Sequence, residues 1–131
     1  MKKILLVLSM AFCILTSFTS SSVQGDVAWI VSPNTVTVTQ GNMFIIDVTI
    51  YKTHGEFTSL ALKATSSDST SLPILVVKNP SHFNDKVIYQ IMVDARTLGT
   101  YTIDINLSGS YNYNGTVSFN QDKTARVTVV H

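Results

Sequence analysis

The stretch Gly99-Thr-Tyr-Thr-Ile-Asp-Ile-Asn-Leu-Ser108 decides the fold. In an extended chain Tyr101, Ile103, Ile105 and Leu107 fall on one side, and Thr100, Thr102, Asp104 and Asn106 on the other. This alternation describes a strand with one face on an apolar core and the other in water. A helix would scatter the same residues around its axis.

The same period of two recurs in Val36 and Val38, in Phe44, Ile46, Val48 and Ile50, and in Leu60, Leu62 and Ala64. With the first set these are the candidate core. Clusters of Gly, Pro, Asn and Ser separate the runs, so strands are predicted at 27–31, 35–39, 43–51, 57–65, 73–78, 86–95, 99–108 and 117–130. No segment holds a helical period. Seven to eight short strands at intervals of roughly 8–12 residues imply an all-β, two-sheet immunoglobulin-like sandwich of antiparallel strands.

The chain opens with Met1-Lys-Lys, the apolar run Ile4–Leu15 and the polar Thr16–Ser22, the order of a secretory signal peptide. The run is too short for a bilayer, which takes about 20 apolar residues. Val23-Gln24-Gly25 fits cleavage before Asp26, with Ser20–Ser22 as a neighbouring alternative. The expected organisation is a leader over 1–25 and a sandwich over 26–131, secreted or at the cell surface, with no membrane span after cleavage. Phe12 is too large for lipoprotein processing at Cys13. Cleavage removes Cys13, the one cysteine, so the domain must stand on its apolar core without disulfides. The nine Lys and Arg against eight Asp and Glu include Lys2 and Lys3, which leave with the leader. The remainder is nearly neutral, which excludes the basic footprint of a nucleic-acid partner.

Ser32-Pro-Asn-Thr-Val-Thr-Val-Thr-Gln-Gly41 with Phe44-Ile-Ile-Asp-Val-Thr-Ile50, and Leu98-Gly-Thr-Tyr-Thr-Ile-Asp-Ile105 with Ala125-Arg-Val-Thr-Val-Val130, resemble the prokaryotic immunoglobulin-like modules of secreted and cell-surface proteins. The resemblance spans nearly all of 32–130. It implies the sandwich and says almost nothing about function. Within it, Gly99-Thr-Tyr101 is similar to a tyrosine corner, with Tyr101 opening strand F; an ordinary core aromatic is the alternative. Ile103 stands where antibody domains place a cysteine, and Trp29, the one tryptophan, lies in the first strand rather than in strand C. Both depart from antibody domains.

Asn114-Gly115, inside Ser110-Tyr-Asn-Tyr-Asn-Gly115, signals a hairpin, because a type I′ turn needs positive φ at both central residues. A two-residue loop would pair Tyr113 with Thr116, odd against even. Yet the inward sets on both sides are odd: Tyr101, Ile103 and Ile105, then Ala125, Val127 and Val129. Cross-strand partners share a face, so either a bulge intervenes, at Gly109 or Asn120-Gln-Asp122, or the loop has another length. A kinked hairpin carries Tyr111 and Tyr113 off the core. With Asn112, Asn114 and Trp29 they form the candidate binding residues for protein or glycan. The competing reading is a solvated hairpin whose tyrosines pack on each other. A second surface comes from strands B and E as neighbours, which turns Met43, Ile45, Tyr51, Ile88 and Met92 outward as an assembly patch. The first strand or the 66–85 segment folding over it is the alternative.

His54, His82 and His131 lie in three separate loops or termini without metal-ligand spacing. Asp47, Asp94 and Asp104 are single residues on outward faces, Asp85 and Asp122 sit in turns, and no calcium loop is visible. No serine stands in a nucleophile elbow, and no thiol survives cleavage. The chain reads as non-enzymatic, with no metal and no cofactor. Asn106-Leu-Ser108 and Asn114-Gly-Thr116 match the N-glycosylation pattern, and Ser66–Ser71 reads as a flexible loop. Asn79-Pro-Ser-His-Phe83 is superficially similar to the Asn-Pro loop of secreted immunoglobulin-like inhibitors of papain-type proteases, but the following Thr-Gly and the other two loop signatures are missing. The sequence therefore supports a secreted binding or assembly module, such as a subunit of a surface layer, filament or matrix, whose partner is itself or another surface protein. The alternative is a soluble module that binds glycan or protein through the Tyr111/Tyr113 tip. Donation of Asp26–Val31 to a neighbouring copy is open.

Overall fold

The computed structural model describes residues 23–131. The chain forms β1 (Val23–Gln24), β2 (Trp29–Ser32), β3 (Thr35–Thr39), β4 (Met43–Tyr51), β5 (Phe57–Ser66), β6 (Ile74–Val77), β7 (Ser81–His82), β8 (Lys86–Asp94), β9 (Gly99–Asn112) and β10 (Thr116–Val130). One five-stranded sheet runs β1-β10-β9-β5, with β3 also on β10; the other runs β2-β4-β8-β6, with β7 also on β8. This is the immunoglobulin-like sandwich, and the element that decided it, residues 99–108, lies at its centre as part of β9.

The residues that alternation turned inward are inside. Ile103, Ile105 and Leu107 from β9, Ile46, Val48 and Ile50 from β4, and Val87, Ile91 and Val93 from β8 are sealed from water, and each buries a side chain contributing roughly 1.5–3 kcal/mol. Val36, Val38, Phe44, Leu60, Leu62, Ala64 and Tyr101 pack partly buried around them. The Tyr101 hydroxyl donates to the carbonyl oxygens of Leu98 and Thr97 at 2.9 and 3.0 Å, so the tyrosine corner is formed.

The hairpin resolves the parity conflict by its length. Asn112 pairs with Thr116, leaving a three-residue loop, and the β9–β10 register then runs unbroken to Gly99 and Val129. Asn114 and Gly115 both have positive φ, 54° and 119°. Of the two alternatives the structure takes the longer loop, and neither Gly109 nor Asn120-Gln-Asp122 bulges in this pair. A bulge does occur in β5, between Phe57 and Ser59, opposite Tyr111 and Ser110. Beside it, a Cβ on Gly109 would stand 2.8 Å from the Phe119 ring, too close for any side chain.

The first strand changes sheets twice. β1 pairs in parallel with β10 at Val117 and Ser118, β2 pairs with β4, and β3 returns to β10. Val23–Gln24, assigned to the leader by sequence, thus join the first sheet. Between the two switches the Gln121 side chain bridges the gap, accepting from the Val27 amide at 3.2 Å and donating to the Asp26 carboxylate at 3.3 Å. Trp29–Ser32 pairs with β4 of its own sandwich, with Val27, Trp29 and Val31 in the core.

Candidate contact surfaces

The tip is built differently from the sequence expectation. Because the three-residue loop keeps odd residues inward, Tyr111 stays in the core at 5 % exposure, whereas Tyr113 stands 61 % exposed. The hairpin therefore does not carry both tyrosines outward. Trp29 is also placed inside, 4 % exposed, with the Lys123 ammonium 5.1 Å from its ring centroid. Its strand crosses between the sheets and points the indole at the core. The asparagines shape the turn, where the Asn112 side-chain oxygen accepts from the Gly115 amide at 3.2 Å. One residue that sequence spacing did not single out joins them. His54, in the loop between β4 and β5, stacks on Tyr111 at 4.7 Å and meets the Tyr113 ring edge-on at 5.2 Å. The loops after β4 and β9 share one end of such a sandwich, and that tertiary fact alone brings His54 to the tip. Lys52 anchors the same loop, donating to Glu56 at 2.9 Å and to the Phe83 carbonyl at 2.6 Å.

The outer face of β2-β4-β8-β6 is the larger feature. β4 and β8 are neighbours, with Ile45 opposite Met92 and Thr49 opposite Ile88. Val76 continues the first row from β6 and Ile30 the second from β2. Met43 is 60 % exposed, and Ile30, Ile45, Leu75 and Val76 each exceed 40 %. Ile88, Met92 and Tyr51 are half-buried among them. Neither expected cover folds over this face: Trp29 turns inward, and β6 and β7 extend the sheet at its edge. A hydrogen bond from Gln90 to Asp47 at 3.1 Å interrupts the apolar rows.

The opposite face, on β5-β9-β10-β3, is polar and carries short side chains. Its centre is a shallow hollow of about 430 Å³ bordered by Ser59, Ala61, Ser108, Ser118 and Asn120. The Asn106 amide nitrogen donates to Asn120 and Asp122 at 2.6 and 2.8 Å, which ties that sequon into the sheet, while Asn114 stands exposed at the turn. A second hollow of about 390 Å³ opens between β5 and β7, where Asn79, Pro80 and His82 of the Asn-Pro segment meet Leu60, Val87 and Tyr89. Burial pushes the Tyr89 hydroxyl above its ordinary pKa. Among the described residues no three His, Cys, Asp or Glu side chains gather as metal ligands.

No family model and no curated protein sequence matches the chain. Its fold is similar to solved structures of the S-layer protein SbsC. Domains 4 and 5 align over 85 % of this chain and 54 % of that one, with TM-score 0.54 and 20 % identity. The structure of domains 1–6 aligns over 80 % of this chain and 13 % of that one, with TM-score 0.55 and 20 % identity. This chain therefore spans about half of the two-domain fragment. At such identity the likeness establishes a shared fold.

Proposed function

We propose that the chain is a secreted or surface-exposed, non-enzymatic binding and assembly module whose main contact is made by the outer face of β2-β4-β8-β6. The observation that carries this reading is the set of exposed apolar side chains on that face, Met43, Ile45, Leu75, Val76 and Ile30. Contiguous apolar surface of this kind marks a contact site. The partner is a protein, either another copy or a neighbouring surface component; the S-layer likeness of the fold supports a place in such a layer. The test is Ile45→Lys with Met92→Glu, which sets opposite charges on directly facing positions of β4 and β8. The pair should leave thermal unfolding unchanged and abolish retention of the protein in the assembled surface fraction. Unchanged retention counts against the reading.

A second reading rests on the tip. Tyr113, exposed beside His54 and Asn114, offers an aromatic plane with polar neighbours, the chemistry on which a sugar ring or a peptide stacks. Tyr113→Ala would abolish binding to a glycan array if this site is used and leave surface retention untouched.

A further inference from the structure

Four strand edges border the two sheets, and three are blunted. The β10 edge is covered at its two ends by β1 and β3. β2 offers four residues and stops at Pro33. β6 and β7 are four and two residues long, broken by a bulge after Ile74 and flanked by Pro73 and Pro80. The fourth edge, β5, runs ten residues from Phe57 to Ser66 without a proline. Long open edges are what natural sheets ordinarily protect.

The free groups on β5 follow from the ladder. The Ser67 amide donates to the Thr102 carbonyl at 2.8 Å, so the odd residues of β5 bond to β9. Amides and carbonyls of Leu60, Leu62 and Ala64 therefore face outward. Among the described residues their one partner is the Tyr89 hydroxyl, 3.4 Å from the Leu60 oxygen. Their side chains point to the core but remain half-exposed, unlike the sealed Ile103, Ile105 and Leu107 one strand away.

We propose that β5 pairs antiparallel with β5 of a second copy about a two-fold axis at Ala61, joining the two β5-containing sheets into one. The inference deepens the assembly reading by naming a self-contact outside the apolar face. Partners across the axis must share a face, which requires even residues to meet even ones. With Ala61 opposite its own copy, Leu60 meets Leu62 of the second copy, and the two apolar interiors become continuous. Lys63, which has no ion pair among the described residues, then faces Ser59 and lies diagonally from Glu56 across the bulge, within reach of a long side chain. The contact is isologous, so it closes as a dimer.

The test replaces Ala61, an exposed residue on the polar face. In the full chain with Cys13→Ser, Ala61→Cys should form a disulfide-linked dimer on mild oxidation. A non-hydrogen-bonded antiparallel pair sets Cα atoms about 4.5 Å apart, inside the disulfide range. Lys63→Cys should not crosslink, its copies being separated by roughly 14 Å, four residues along the strand. Ala61→Lys, with like charges opposed, should weaken the dimer by about tenfold or more in sedimentation, with a melting temperature unchanged at dilutions where both proteins are monomeric. A monomer at all concentrations overturns the β5 contact, as does crosslinking at position 63 equal to that at 61. Self-association lost in Ile45→Lys but intact in Ala61→Lys also overturns it, while leaving the assembly reading in place.

Discussion

The His54 imidazole lies nearly parallel to the Tyr111 ring, with planes 13° apart and centroids at 4.7 Å. That contact fastens the loop after β4 to the base of the β9–β10 hairpin, and on the core side Tyr111 continues onto Phe119 at 6.2 Å. The two tyrosines of the tip thus differ in kind, one a structural post and the other a surface ring.

Tyr111→Ala should accordingly cost about 3–5 kcal/mol of unfolding free energy, the range for deleting a buried aromatic. Tyr113→Ala should stay within about 0.5 kcal/mol, as surface substitutions do. Urea denaturation of both variants checks this. Equal losses would mean that Tyr113 belongs to the packing of the tip.

The alternation of β4, β8, β9 and β10 was legible because facing is a local property: once Ile103 points in, Ile105 and Leu107 must follow. Adjacency of β4 and β8 followed from the sandwich topology, and the outward apolar residues followed from both. Tyr101 was legible as a corner or an ordinary core aromatic, and the bonds of its hydroxyl to the Leu98 and Thr97 carbonyls, which no local pattern encodes, decide for the corner. Tyr111 was not legible, because a two-residue loop would have called for a bulge, and a bulge at Gly109 would reverse the face of every residue beyond it. Trp29 was misplaced because a strand that leaves one sheet for the other is no longer oriented by its neighbours in sequence. His54 reaches the tip through tertiary proximity alone, and no spacing encodes that.

Asp68 organises the turn that delivers Leu72 to the core. Its carboxylate accepts from the Ser71 amide at 3.1 Å, the Ser71 hydroxyl at 3.0 Å and the Thr70 amide at 3.1 Å, and its carbonyl accepts from the Leu72 amide at 2.9 Å. The bonds from Ser71, backbone first, hold its pKa below the ordinary 3.8. A folded-state pKa below the unfolded one gives stability that is complete above the unfolded value and is lost as the pH falls through the folded one. Acid titration should therefore show stability dropping below about pH 4, and Asp68→Asn should flatten that part of the profile relative to its own value at neutral pH. An unchanged acid limb in the variant would assign the drop to other carboxylates.

Gly25 bears on where the functional chain must begin. Its amide donates to the Ser118 carbonyl at 2.8 Å, continuing the β1 pairing of Val23 with Val117. A Cβ at this position would stand 2.5 Å from a Val117 methyl and 2.6 Å from the Tyr111 hydroxyl, so only glycine lets the chain pass. A chain starting at Val23 should be more stable than one starting at Asp26 by about 1–2 kcal/mol, the yield of two or three hydrogen bonds. Gly25→Val in the longer chain should lose at least as much, because it forces β1 off Val117 and loosens the ring that holds His54. Urea midpoints of the three proteins decide the point. If the longer and shorter chains unfold together and Gly25→Val matches both, β1 adds nothing and processing before Asp26 is harmless. If they separate, a cut in Ser20–Ser22 would preserve the sandwich, and the intact mass of any processed form should show residues 23–25 retained.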